Sequence, residues 1–188
     1  LLIPIPDPAF GDPMKYISII LAVVVISCKD SSTNTNNHST DQIYLEFEQI
    51  NYAWGYCYQG MMIDRDGKMY SYNPAKDTIG VLYNENNYYT ETELQSKYQH
   101  YRTYYRNVNQ DTLLWCYELA NNVTPNTLSD TSMAGCDMGS FIYTVYIYRT
   151  DSCKYQKIVL RQDGDVVFYN RSENAVALVT WMKKLFLK

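Results

Sequence analysis

The sequence predicts an α+β domain, an antiparallel sheet of about five to six strands with two or three helices packed on it. Three observations carry this expectation. Runs rich in Tyr, Val and Ile recur over residues 43–72 and 141–169, in places with a period of two, the pattern of half-buried strands. Asp66-Gly67 and Asp163-Gly164 lie between such runs and offer the backbone freedom that a tight hairpin turn requires. After Ser172, apolar residues fall at Ala175, Leu178, Val179, Met182 and Phe186, the stripe of an amphipathic helix.

Each element follows in order. Residues 43–50 form a first strand carrying Tyr44, Phe47 and Ile50. A second strand is expected from position 52, with Tyr52, Trp54, Tyr56 and Tyr58 on one face and Ala53, Gly55 and Cys57 on the other. It continues to Ile63, turns at Asp64-Arg65-Asp66-Gly67 and returns through Met69, Tyr70 and Tyr72. Residues 73–89 read as a loop. Thr90 and Glu93 then make a capping-box pair. Leu94, Tyr98, Tyr101, Tyr105 and Val108 repeat at helical spacing, which predicts one helix up to position 108. Asp111 caps a second, short helix containing Leu114, Trp115, Cys116 and Leu119. Loop chemistry fills 121–140, strands follow at 141–148, 155–161 and 166–169, and Ser172 caps the last helix. Lys183, Lys184 and Lys188 suit its negative end. Residues 62–73 align without gaps to 159–170, each ending in Tyr-Asn. The chain can therefore be read as two β-β-β-α units, a duplication or the convergent chemistry of two hairpins.

The N-terminal part has a different composition. Lys15 precedes an apolar run from Ile17 to Ile26 broken only by Ser18. That run is a secretory core, too short to span a bilayer as a stable helix. It ends in Val25-Ile26-Ser27-Cys28, which resembles the lipobox of bacterial lipoproteins. The resemblance covers residues 14–30 and implies cleavage before Cys28, its lipidation, and attachment to a membrane. Lys29-Asp30-Ser31-Ser32 is similar to the short Lys-acidic export signals of Bacteroidota lipoproteins, which implies the outer membrane, facing either the periplasm or the surface. Accordingly, residues 1–13 read as an upstream or non-native segment, 14–27 as signal peptide, 28–40 as lipidated Cys and polar tether, and 41–188 as one domain. Several acyl chains on Cys28 hold far better than one, at about 0.8 kcal/mol per buried CH₂.

Composition narrows the function. Beyond position 27 the chain has 15 basic and 18 acidic residues, a charge of −3. That balance lacks the basic stripe nucleic acid needs. Twenty tyrosines suit amphipathic packing or a sticky recognition face. Cys57, Cys116, Cys136 and Cys153 accompany Cys28. An eight-residue strand spans about 25 Å, which separates Cys136 from Cys153. Cys57 can meet Cys116, or both can stay free. No CxxC occurs and only two histidines exist, so no metal site and no cofactor are expected.

Candidate chemistry is sparse. Counted from Asp64, a calcium loop fails at Lys68, Met69 and Ala75, so the segment is a hairpin turn. His100 sits in no nucleophile motif, and Glu46, Glu48 and Asp64 carry no local signature of a carboxylate pair. Trp54 with Tyr52, Tyr56 and Tyr58 could make an aromatic platform for a sugar ring or peptide. The expected function is therefore a lipid-anchored, non-catalytic binding or interaction module of the cell envelope. It would be immunity- or inhibitor-like, or would bind a glycan or an envelope protein. The alternative is a small envelope hydrolase using carboxylates or His100.

Overall fold

The computed structural model describes residues 42–53, 55–74, 87–97, 99–124 and 127–186. The signal, Cys28, the tether, Trp54 and Tyr98 lie outside the described residues. Strands are β1 (Ile43–Asn51), β2 (Cys57–Ile63), β3 (Lys68–Tyr72), β4 (Tyr88–Tyr89), β5 (Arg102–Asn107), β6 (Ser132–Met133), β7 (Ser140–Arg149), β8 (Lys154–Gly164) and β9 (Val166–Tyr169). The helices are α1 (Glu91–Ser96), α2 (Gln110–Asn121) and α3 (Glu173–Phe186). The class is α+β as expected, but among the described residues the sheet has nine strands where the sequence predicts five to six.

Two meanders, β1-β2-β3 and β7-β8-β9, meet through β1 and β7, from Ile43 opposite Ile147 to Ile50 opposite Ser140. The order across the sheet is β5-β3-β2-β1-β7-β8-β9-β6, with β4 also paired to β8. β4 takes the Tyr155–Gln156 end of β8, and β9 takes the Arg161–Gln162 end. The aligned segments 62–73 and 159–170 are the β2–β3 and β8–β9 hairpins, at corresponding places in the two meanders.

Alternation gives this sheet two unlike faces. Ile43, Leu45, Phe47, Tyr143, Val145 and Ile147 point to one side, against Leu113 and Cys116 of α2 and the predicted stripe of α3, all five residues of which are buried. Trp115 and Trp181 meet edge-to-face between the two helices, 6.4 Å apart. Tyr44, Tyr146, Tyr58, Met62, Tyr72 and Tyr155 point to the other side, where Tyr89 of β4 and Leu94 of α1 cover them.

Three expected elements differ. The strand foreseen from Tyr52 begins only at Cys57, because Gly55 has φ +121° and the Asn51 side chain accepts the Ala53 N–H, turning the chain. The helix foreseen over 90–108 keeps its capping box but ends at Ser96. Lys97 leaves helical geometry (ψ 119°), and Arg102–Asn107 becomes an edge strand on β3. Thr103, Tyr104 and Tyr105 favour that pleated conformation, and the helical spacing of 101, 105 and 108 is incidental. The cap of α2 is Asn109, which accepts the Asp111 N–H, and the helix is twelve residues long.

Gly164 combines φ +126° with a close approach, since a Cβ there would lie 2.0 Å from the Gly139 carbonyl oxygen. Gly55 has a similar φ but open space around it. Gly55→Ala is therefore expected to cost about 1–3 kcal/mol of backbone strain, and Gly164→Ala clearly more. Urea unfolding of the two variants would show the difference, and equal losses would mean the Gly139 contact relaxes freely.

Candidate functional site

On the tyrosine face the strand β1 places Tyr44, Glu46 and Glu48 side by side, and both carboxylates are buried. An isolated charge there would be costly, so partners are required. Lys97, at the end of α1, supplies one: its Nζ lies 2.6 Å from Glu46 Oε2. Tyr146 donates to the same oxygen at 2.5 Å, and Tyr72 donates to Oε1 at 2.9 Å. Lys97 Nζ also donates to the Tyr146 hydroxyl at 2.9 Å. Tyr58 donates to Glu48 at 2.7 Å. Burial opposes the Lys97 charge, but the adjacent Glu46 carboxylate, with Glu48 beyond, holds the ammonium above the ordinary lysine range. Burial and then the Glu46 carboxylate push the phenols of Tyr72 and Tyr146 well above the usual tyrosine value.

A second, half-exposed group surrounds Glu91 of α1. Tyr44 and Tyr155 donate to its two oxygens at 2.7 and 2.6 Å, and Arg65 pairs with it at 3.3 Å. The short helix α1 is thus tied to the sheet at both ends, by Glu91 and by the lysine that follows it.

Two concavities lie beside these networks. One, of about 470 Å³, runs over β1, β2 and β3 near the end of α3, with Gln49, Gln59, Ser71 and Thr103 in its walls. The other, of about 350 Å³, lies between the β2–β3 hairpin and α1. Neither gathers a nucleophile and base. His100 is exposed on the turn between α1 and β5. Asp64 is occupied by its own turn, accepting the N–H groups of Asp66 and Lys68 at 3.0 and 2.8 Å.

The aromatic set foreseen at Tyr52, Trp54, Tyr56 and Tyr58 is not one platform. Tyr52 and Tyr56 stack at 5.8 Å on the β1–β2 loop, but Tyr58 is buried against Glu48. The turn at Gly55 breaks the alternation that would have aligned them. Of the two states open to Cys57 and Cys116, bridged or free, the structure has both as free thiols. Cys57 opens β2 opposite Asn51, whereas Cys116 is buried beneath α2. Cys136 is a free thiol as well, and exposed.

Lys97 escaped the sequence reading. Its signal was a single cation inside an otherwise apolar helical stripe, opposite two acids at positions 46 and 48 that share a strand face. The exposed edge strand was missed as well. Tyr104 and Tyr105 are 54% and 56% exposed on β5, beside Arg102 and Arg106.

Removing one member of the buried pair should cost about 3–5 kcal/mol, because the other charge is left alone. Lys97→Met and Glu46→Leu singly are expected to show that loss in urea, while the double variant recovers much of it. Thr144, opposite Glu46 on β7, has a buried hydroxyl with no hydrogen-bond partner among the described residues. Thr144→Val is expected to be neutral or to stabilise by about 1 kcal/mol. The folded chain also keeps the protons of Tyr72, Tyr146 and Lys97 at a pH where the unfolded chain releases them. Their stabilisation is whole below about pH 10 and is lost as pH rises further. In a spectroscopic titration the tyrosinate signal of the buried phenols should appear together with unfolding, and gradual ionisation without unfolding would contradict the closed network. No family model matches the chain, and no curated protein and no solved structure matches it.

Proposed function

We propose that this chain is a cell-envelope lipoprotein, held in the outer membrane through Cys28, whose domain serves as a binding or interaction module. The observation that carries the address is the run from Met14 to Cys28, a charged start, an apolar core and a lipobox-like end. The tether at 29–40 holds the domain clear of the lipid surface. Among the described residues no helix is long and apolar enough to cross a membrane.

The module reading is supported by the surface of β5, where Tyr104 and Tyr105 are exposed between Arg102 and Arg106. Tyr and Arg are the side chains that most often dominate protein interfaces. An edge strand also offers a row of backbone groups for pairing. The partner would be an envelope protein, as for an immunity- or inhibitor-like protein, or an envelope glycan. The hydrolase reading has less support, because Glu46 is occupied by Lys97 and the tyrosines, and His100 stands on an exposed turn.

Labelling cells with a clickable fatty acid tests the anchor. The wild type should carry label and sediment with membranes, and Cys28→Ala should lose both. Label that survives the substitution would sink the lipoprotein reading. For the module, Tyr104→Ser with Tyr105→Ser should leave the urea midpoint nearly unchanged and weaken capture of an envelope partner by about 2 kcal/mol or more.

A further inference from the structure

The cavity between the β2–β3 hairpin and α1 holds about 350 Å³, within the range of small-ligand sites. Its walls are charged, amide or hydroxyl side chains with a tyrosine floor. The charges there are not equally engaged. Arg65 is paired with Glu91 at 3.3 Å, Asp64 is bonded by the N–H groups of its own turn, and Asp66 is a second carboxylate in the lining. Lys68 and Arg102 make no ion pair among the described residues, although both line the cavity. The guanidinium of Arg102 lies over the ring of Tyr70, 4.5 Å from its centroid. A guanidinium held on an aromatic face has already lost much of its freedom, and its edge remains available to a bidentate acceptor.

The geometry points to a subsite for one residue of an acidic sugar, with its carboxylate on Arg102 and its hydroxyls on neighbouring polar side chains. Lys68 offsets the carboxylates of Asp64 and Asp66 on the same hairpin. Thr92 and Gln99 also line the cavity and supply hydroxyl and amide groups of the kind that pair with sugar hydroxyls. An acidic peptide would need apolar pockets for alternate side chains, and polar walls of this kind do not provide them. This inference rests on the module reading of the domain and not on the lipid anchor.

Titration of the full chain with galacturonic acid and its short oligomers, followed by calorimetry or NMR, tests it. Saturable binding is expected for the acid, with galactose weaker by about tenfold or more, because a charge-assisted bidentate pair is lost. Arg102→Gln should lower affinity by a similar factor, and Arg102→Lys should restore only part of it. Lys68→Gln, at an exposed strand end, should weaken binding and steepen no salt dependence. Circular dichroism and the urea midpoint would confirm that each variant is folded. The proposal is overturned if the wild type shows no saturable binding of the acid, if galactose binds equally well, or if Arg102→Gln changes nothing. An acidic dipeptide binding as tightly as the sugar would also overturn it. If the sugar fails while the β5 variant still loses envelope capture, the subsite falls and the module stands.

Discussion

The contact between Glu46 and Lys97 sets the terms for the tyrosine side of this sheet. A carboxylate at the centre of a buried strand requires a cation, and the cation comes from a segment 51 positions along the chain. Lys97 keeps a helical φ but has ψ 119°, so its side chain reaches the carboxylate while the chain after it leaves the helix. The end of α1 is thereby tied to β1, beside the Leu94 that covers the tyrosine face. Tyr146 and Tyr72 complete the coordination of the carboxylate, as a buried charge needs more than its counterion.

This arrangement explains the abundance of tyrosine. A tyrosine ring fills space as phenylalanine does, but its hydroxyl can end on a carboxylate. The sheet uses both properties together. Tyr58, Tyr72 and Tyr146 serve Glu48 and Glu46, while Tyr44 and Tyr155 serve Glu91. Ring pairs such as Tyr44 with Tyr155 and Tyr89 with Tyr146, at 5.2 and 5.3 Å, pack the spaces between the hydrogen bonds. The opposite face needs no such chemistry and is largely aliphatic.

Much of the fold was legible in the sequence because it rests on local periodicity. The two Asp-Gly hairpins, the strand at β7 and the whole stripe of α3 are short-range patterns. The segment after Thr90 was misread because its spacing fits a helix while its residues fit a strand, and pairing with the distant β3 decides between them. Gly55 likewise ended an alternation that Tyr52 and Tyr56 appeared to continue. The candidate cavity was not legible at all. Its residues come from a hairpin, a short helix and an edge strand, and nothing in Lys68 or Arg102 alone marks them as neighbours.

The seam between β1 and β7 has a consequence for how the molecule is made. The hairpins β2–β3 and β8–β9 close over short loops, but β1 pairs with residues about 100 positions away, as Glu46 and Thr144 do. Such long-range closure is slow and entropically expensive. The first meander must therefore wait, with the edge of β1 unpaired, until residue 149 is available. A chain built this way cannot lock prematurely during synthesis, and its most vulnerable moment is the interval before its second half arrives.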